Sequence, residues 1–177
     1  MSRYRELTGK VDGFFARVMA RHGGDMQCGA GCDDCCRTRL TITGVEAATV
    51  RAHVATLEPA ARAHLAEIAR RPFDATDPRC AALDADGRCL IYDGRPVVCR
   101  SHGVPIRFHG IDDAPVVDAC PKNFTARGPA AADPDCILDQ TTLSTALYAI
   151  ERDDAQRTGR APERVELAEL LIALTES

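Results

Sequence analysis

The sequence lacks tryptophan and has few aromatic residues of any kind, which make up 5% of its 177 positions. Leu, Val, Ile and Ala must therefore build the core. No window approaches the roughly 18 continuous apolar residues of a membrane span, and residues 1–15 carry charges throughout, unlike a signal peptide. The net charge of −4 offers no basic footprint for a nucleic-acid backbone. We therefore expect a soluble, cytoplasmic protein that binds neither membranes nor nucleic acid.

Cysteine, by contrast, is abundant, with nine in the chain. The segment CGAGCDDCCR alone carries four, at Cys28, Cys32, Cys35 and Cys36. Buried or disulfide-bonded thiols are one interpretation, but adjacent cysteines can hardly pair without strain and disulfides are rare in a reducing compartment. A chain of this length also buries roughly 70% of its unfolded surface without them. Thiolates converging from one short loop are ligands for a soft cation, so the segment predicts a metal site.

A second pair of cysteines flanks a turn sequence. Cys80 and Cys89 lie on either side of residues 84–87, Asp-Ala-Asp-Gly, which separate two short apolar runs. We interpret this stretch as a hairpin with a four-residue loop in which Leu83 pairs with Arg88. That register places both sulfurs on one face as diagonal neighbours, with Cα atoms about 7–8 Å apart. Two such thiolates can bind one cation.

Two further cysteines follow in the same part of the chain. Pro96 suits the start of a short helix, which would hold Cys99 and Arg100 about one turn in. Residues 104–108 alternate like a strand, with 116–117 as the partner, and Cys120 comes directly after it. His102 is the one histidine near the thiols, and the sequence leaves open whether it is a ligand.

Around these cysteines the sequence is mainly helical. Helices are predicted over 3–22, 44–57, 59–71, 139–157 and 163–175, with a capping box from Thr43 to Glu46. Residues 126–135 are interpreted as a flexible connector. We predict an α+β, mostly helical fold with one or two short hairpins. It would form a single domain over 1–177, with a cysteine-rich core at about 24–125 and C-terminal packing helices at about 137–175.

Charge balance suggests a role for the arginines beside the cysteines. Eight thiolates make two four-sulfur sites or one larger cluster, and a tetrathiolate zinc site or an iron–sulfur cubane has a net charge of about −2. The arginines in question are Arg37, Arg39, Arg95 and Arg100. We expect some of them, above all Arg95 and Arg100, to lie in the shell around the thiolates and offset that charge. The spacing Cys28-x3-Cys32-x2-Cys35 also occurs in radical S-adenosylmethionine enzymes, but those are longer chains of repeated strand–helix units.

The order of these motifs resembles that of a known group. The chain is similar to the YkgJ-type cysteine-cluster proteins, which are described as zinc- or iron-chelating. The similarity lies in the order of three motifs: CGAGCDDCCR, then Cys80-x8-Cys89-Leu-Ile-Tyr-x-x-Arg-Pro-x-x-Cys99-Arg, then Cys120. The resemblance covers about residues 28–121. It implies zinc or iron, including an iron–sulfur cluster, as the cofactor. The implied metal ligands are Cys28, Cys32, Cys35, Cys36, Cys80, Cys89, Cys99 and Cys120.

Two functions remain open at this point. The first is a binding module that holds zinc or iron for structure, storage, delivery or sensing, with metal ions as partners and any protein partner unidentified. The second is an iron–sulfur-dependent enzyme that modifies a protein side chain, because a similar cysteine cluster occurs in flagellin lysine N-methylases. The first fills every metal position with thiolates, whereas the second needs an open coordination position and a pocket.

The ninth cysteine stands apart from this set. Cys136 follows the Pro- and Ala-rich connector and lies beside Ile137 and Leu138. A free cysteine packs well as a small apolar residue, and eight thiolates already complete two tetrahedral sets. We therefore predict that Cys136 is not a ligand.

Overall fold

A computed structural model describes residues 2–29 and 31–175. The described chain is mostly helical and includes short strands, which confirms the α+β expectation. None of its helices combines the length and the apolar character that crossing a bilayer requires. The α-helices are α1 (Ser2–His22), α2 (Gly44–Val54), α3 (Pro59–Ala69), α4 (Val97–Ser101), α5 (Gln140–Thr158) and α6 (Leu167–Thr175).

The strands form two small sheets within the described residues. A two-stranded antiparallel sheet pairs the first strand with the last, and in the three-stranded sheet β2 lies between β3 and β4. In the latter, β2 and β3 run antiparallel, whereas β2 and β4 run parallel. The strands are β1 (Thr41–Thr43), β2 (Ile106–His109), β3 (Pro115–Asp118), β4 (Leu138–Asp139) and β5 (Arg164–Glu166).

The first compact unit comprises residues 31–96 and 151–175. Its core combines apolar residues of α2, α3 and α6, with Val50, Leu65 and Leu171 all fully buried. The predicted capping box opens α2, because the backbone N–H of Thr43 donates to Glu46 Oε2 at 2.9 Å.

A buried carboxylate supplies a second cap for α2. Glu151 Oε2 accepts the backbone N–H of Val45 at 2.8 Å, and Glu151 Oε1 accepts from Arg160 Nη1 at 2.6 Å. Arg160 also binds Asp154 at 3.1 Å. Glu151, which Arg160 holds in place, therefore supplies an acceptor for a helix N–H that would otherwise lack one.

The second compact unit comprises residues 2–29 and 97–150. Val18 of α1 packs with Met26, Val104 and Phe124 in its apolar core. Arg100 of α4 is buried and donates to Asp12 Oδ2 at 2.6 Å, an ion pair that joins α4 to α1.

Most predicted elements are present with small shifts in their ends. The helix over 3–22, the short helix after Pro96 and the pairing of 104–108 with 116–117 are confirmed. Helix α2 stops at Val54 instead of 57, because the backbone N–H groups of Thr56 and Leu57 bond to carbonyls three residues back, as in a turn. The predicted helix over 163–175 begins only at Leu167, since residues 164–166 instead pair with β1.

The segment over 126–135, interpreted from the sequence as a flexible connector, contains regular turns. It contains a 3₁₀ turn at Pro129–Ala131 and enters a second at Pro134–Cys136. Ala132, between them, is buried in the apolar core of the second unit. The two prolines, each at the start of a turn, preset the backbone for this compact path.

Candidate metal centre

The predicted hairpin exists, but its register is wrong by one residue. Leu83 lies opposite Cys89, not Arg88, and the backbone N–H of Asp84 donates to the carbonyl of Arg88 at 2.9 Å. The loop is therefore three residues long, with Gly87 at φ +73° in the left-handed conformation typical of such loops. Asp84 Oδ1 accepts the N–H of Arg88 at 2.7 Å, which fixes the tighter turn.

The loop with the double cysteine lies against this hairpin in the same unit. Cys35 and Cys36 belong to a 3₁₀ turn, Asp34–Cys36. The backbone N–H of Cys80 donates to the carbonyl of Cys36 at 2.7 Å. A Cβ added to Gly87 would lie 3.5 Å from the carbonyl oxygen of Gly31, so the hairpin tip touches the loop next to Cys32. Main-chain contacts thus bring together cysteines 44 positions apart.

Four of the predicted ligands come together here: Cys35, Cys36, Cys80 and Cys89, the four-thiol set. The Sγ atoms of Cys35 and Cys36 are 4.0 Å apart. Two thiolates bound to one tetrahedral zinc ion, with bonds of about 2.3 Å, are separated by about 3.8 Å. Cys80 and Cys89 lie near enough for their charges to raise the pKa of Cys36. The donor chemistry and the spacing of the adjacent pair therefore fit a thiolate-bound metal.

The four thiols differ in their protonation. A hydrogen bond with Cys36 lowers the pKa of Cys35 to about 7, and the same bond raises the pKa of Cys36. Burial raises the pKa of Cys80, and it raises that of Cys89 to about 11. Without a cation the set therefore holds most of its protons at neutral pH. A metal must displace them, because thiolates are the binding form.

The expected arginines have different surroundings. In the first unit the charge of Arg39 favours the thiolate of Cys80, and that of Arg95 favours the thiolate of Cys89, although burial outweighs both. Arg95 also stacks on Tyr92, 3.8 Å from the ring centroid. Arg37 instead binds Asp77 at 2.6 Å. In the second unit the described partner of Arg100 is Asp12.

The second unit holds Cys28 by other means. Asn123 Nδ2 donates to Cys28 Sγ at 3.2 Å and to the carbonyl of Gly103 at 2.7 Å, while its Oδ1 accepts the N–H of Gln27 at 2.8 Å. A Cβ on Gly103 would lie 2.5 Å from Cys28 Sγ, so only glycine fits there. Asn123 was missed from the sequence, where its one signal is a position three residues after Cys120.

The two other predicted ligands in the second unit are half-buried. Cys99 lies on α4, and Cys120 follows β3. Cys120 and His102 line one open cleft of about 350 Å³, together with apolar side chains such as Phe108 and Leu147. Burial of part of the imidazole lowers the pKa of His102, so its neutral form dominates at pH 7.

These features define a class of protein: a small α+β chain organised around cysteines that suit a soft metal. A family model described as "CxxCxxCC: Putative zinc- or iron-chelating domain" matches residues 27–121. The chain belongs to this family, which confirms the resemblance to a cysteine-cluster group. No curated protein and no solved structure matches the chain.

Proposed function

We propose that this metal-binding protein holds zinc or iron through eight cysteine thiolates. The observation that carries the proposal is the four-thiol set, in which one exposed and three half-buried thiols lie together and the half-buried three have raised pKa values. In the second unit the proposed ligands are Cys28, Cys99 and Cys120. Cys32 completes the eight.

The four-thiol set would hold the metal from two segments of the first unit, the loop before β1 and the hairpin after α3. Zinc bound there would stabilise these segments, and iron would add one-electron chemistry. Asn123 supports Cys28 by donating an N–H to sulfur, and Arg39 and Arg95 favour neighbouring thiolates. The function is structure, storage, delivery or sensing of the metal in a reducing compartment such as the cytoplasm.

The test is anaerobic purification followed by elemental analysis and an absorption spectrum. We expect zinc or iron in the purified chain, and Cys80→Ser and Cys89→Ser should each lose metal. Arg88→Met alters the exposed neighbour of Cys89 in the same hairpin and should keep the metal. A wild-type protein free of both metals, or cysteine variants with unchanged metal content, would contradict the proposal.

The cleft beside Cys120 favours a second candidate, an iron–sulfur-dependent enzyme that modifies a protein side chain. It has room for a side chain, and its wall combines one proposed ligand with the neutral imidazole of His102. This function needs iron and sulfide. A brown protein containing both, whose spectrum changes on reduction, would support it, whereas a colourless zinc protein would exclude it.

A further inference from the structure

The second unit contains another group of ligand-type side chains, none of which belongs to the eight cysteines. His22 ends α1, and Asp133 and Cys136 bracket the 3₁₀ turn at Pro134–Cys136. One ligand atom from each of the three lies within 4.8 Å of the other two. Against the sequence-based expectation for Cys136, we propose that these residues form a separate site for a divalent cation such as zinc or cobalt(II).

The distances are close to those of a bound cation. His22 Nε2 lies 3.6 Å from Asp133 Oδ2. Around a tetrahedral zinc ion with bonds of about 2.1 Å, nitrogen and oxygen ligands are about 3.4 Å apart. The Cys136 sulfur lies within 4.8 Å of both other ligand atoms, against about 3.6 Å around such an ion, so binding requires the ligands to close in by about 1 Å. A mixed set of nitrogen, oxygen and sulfur ligands suits zinc and cobalt(II) better than magnesium or calcium.

The surrounding structure holds the three residues in place. The backbone N–H of Cys136 donates to the carbonyl of Asp133 at 2.8 Å. The ring of His22 packs against Phe124 with centroids 5.5 Å apart. His22 and Cys136 are 7% and 0% exposed, whereas the Asp133 side chain is half exposed. Two ligands are therefore desolvated and fixed, and the third faces the solvent from which a cation enters.

The hydrogen bonds around His22 are unbalanced without a cation. Arg127 Nη2 lies 3.1 Å from Nδ1, and the backbone N–H of Asp133 lies 3.2 Å from Nε2. Both neighbours can only donate, but a neutral imidazole has one lone pair to accept with. One of the two contacts therefore lacks an acceptor in either tautomer.

A cation at Nε2 would replace this mismatch by a metal–nitrogen bond, at a cost to both donors. The metal takes the Nε2 lone pair in place of the Asp133 N–H, the ring proton moves to Nδ1, and the Cys136 thiol releases its proton to solvent. Arg127 must then leave Nδ1, but it keeps Asp25, whose Oδ2 is 2.6 Å from Nη2. Arg127 thus competes with the cation, and its removal should strengthen binding.

The experiment titrates cobalt(II) into the full-length protein as purified, after elemental analysis shows that the cysteine-cluster metal is retained. We expect one additional equivalent with thiolate-to-cobalt absorption. Asp133→Asn should weaken this binding by about tenfold or more. Asp135→Asn is the matched control, since Arg21 donates to Asp133 at 3.4 Å and to Asp135 at 2.7 Å but Asp135 is not one of the three residues. Arg127→Met should bind more tightly than wild type.

Because Asp133 is half exposed, its variant is expected to fold, and the proposal stays testable if His22→Gln or Cys136→Ala unfolds. A second readout is the ¹⁵N resonance of His22 Nε2, which should shift on addition of zinc in wild type and in Asp135→Asn. Absence of an additional equivalent in wild type, or equal binding by wild type and Asp133→Asn, would overturn the proposal. The cysteine-cluster metal is measured separately, by elemental analysis, and that result tests the proposed function alone.

Discussion

The two compact units treat their cysteines in opposite ways. In the first, four thiols lie together, and the charges of neighbouring cysteines help to raise the pKa of Cys36 and of Cys89, so several thiolates there would need a cation to offset them. In the second, Cys28 has its own neutral donor, the Asn123 amide, and a glycine that leaves room for its sulfur. We therefore expect the first arrangement to depend on metal more strongly than the second, where the chain itself positions Cys28.

Metal removal should give the largest effect and the clearest contrast. A strong chelator should make residues 24–125 sensitive to protease, first in the loop over 31–37 and in the hairpin over 80–91. The reason is that these segments have few large apolar residues of their own, and structural zinc contributes about 10–16 kcal/mol to folding. Helical signal should persist, because the helices carry independent apolar faces.

Limited proteolysis with mass spectrometry, before and after chelation, measures this effect. An unchanged cleavage pattern after verified metal removal would contradict the expectation that the four-thiol set of the first unit depends on metal.

The next largest effect concerns the part of the first unit's stability that does not involve metal, and it separates that part from the effect of metal removal. Glu151→Gln should lower the free energy of unfolding by about 3 kcal/mol, since it removes the buried carboxylate that binds Arg160 at 2.6 Å and leaves Asp154 as the remaining carboxylate partner named above. Thermal unfolding of the holoprotein measures the loss. Glu169→Gln, an exposed change in α6, should be nearly neutral; a loss as large there would show that the Glu151 effect is not specific.

The same carboxylate predicts a pH dependence. Burial raises the pKa of Glu151, but hydrogen bonds from Arg160 and from the N–H groups of Val45 and Glu163 outweigh it and hold the pKa below its usual 4.5. A depressed pKa means that the contribution is fully present above pH 4.5 and is lost as the pH falls through the folded-state value. As the pH falls below about 5, the free energy of unfolding of wild type should therefore decrease more than that of Glu151→Gln. Equal decreases in the two proteins would contradict the depressed pKa of Glu151.

In the second unit, a pair of glycine variants isolates the Cys28 environment. Gly103 and Gly128 both have positive φ, at +94° and +76°, so alanine costs about 1 kcal/mol at each from the backbone alone. At Gly103 the new Cβ also meets Cys28 Sγ at 2.5 Å, whereas at Gly128 it meets nothing within 4 Å. Gly103→Ala should therefore be the more destabilising by about 1–3 kcal/mol, and equal melting temperatures would refute the close contact.

The smallest expected effect concerns charge next to the four-thiol set. Arg95→Met should weaken metal retention by about tenfold, because its cation favours the Cys89 thiolate. Arg88→Met removes an exposed arginine beside the same cysteine and should change little. Competition with a chromophoric chelator measures both. The sequence suggested the same role for Arg100, whose ion pair with Asp12 leads us to expect a smaller change in metal retention for Arg100→Met.

Local patterns were sufficient for the helices, because the information lies within a few residues. The capping box at Thr43 and the helix over 3–22 depend on contacts one turn apart. Strand β5 could not be predicted in this way, since three residues pair with a segment far away in the chain. The hairpin register failed because the Asp84 side chain and the φ of Gly87 select a three-residue loop, which alternation alone does not distinguish from four.

For the candidate site, the cysteines themselves were visible in the sequence, but their surroundings were not. Nothing local connects Asn123 to Cys28, 95 positions earlier, and nothing in the spacing brings His22 near Cys136. Both relations arise only when the second unit folds. The division of the eight thiols between the units is likewise a property of the packing, because Cys28 and Cys32 are neighbours in sequence and belong to different units.

The pairing of β1 with β5 also sets an order of events during synthesis. Thr41 and Arg164 are joined by side-chain hydrogen bonds across 123 positions, so this sheet closes only after Arg164 has left the ribosome. The four-thiol set, in contrast, is complete by Cys89. If these thiols bind metal as proposed, the nascent chain would expose them to the cell's metal pool well before β5 is synthesised, and a cation acquired at that stage would be enclosed by later folding.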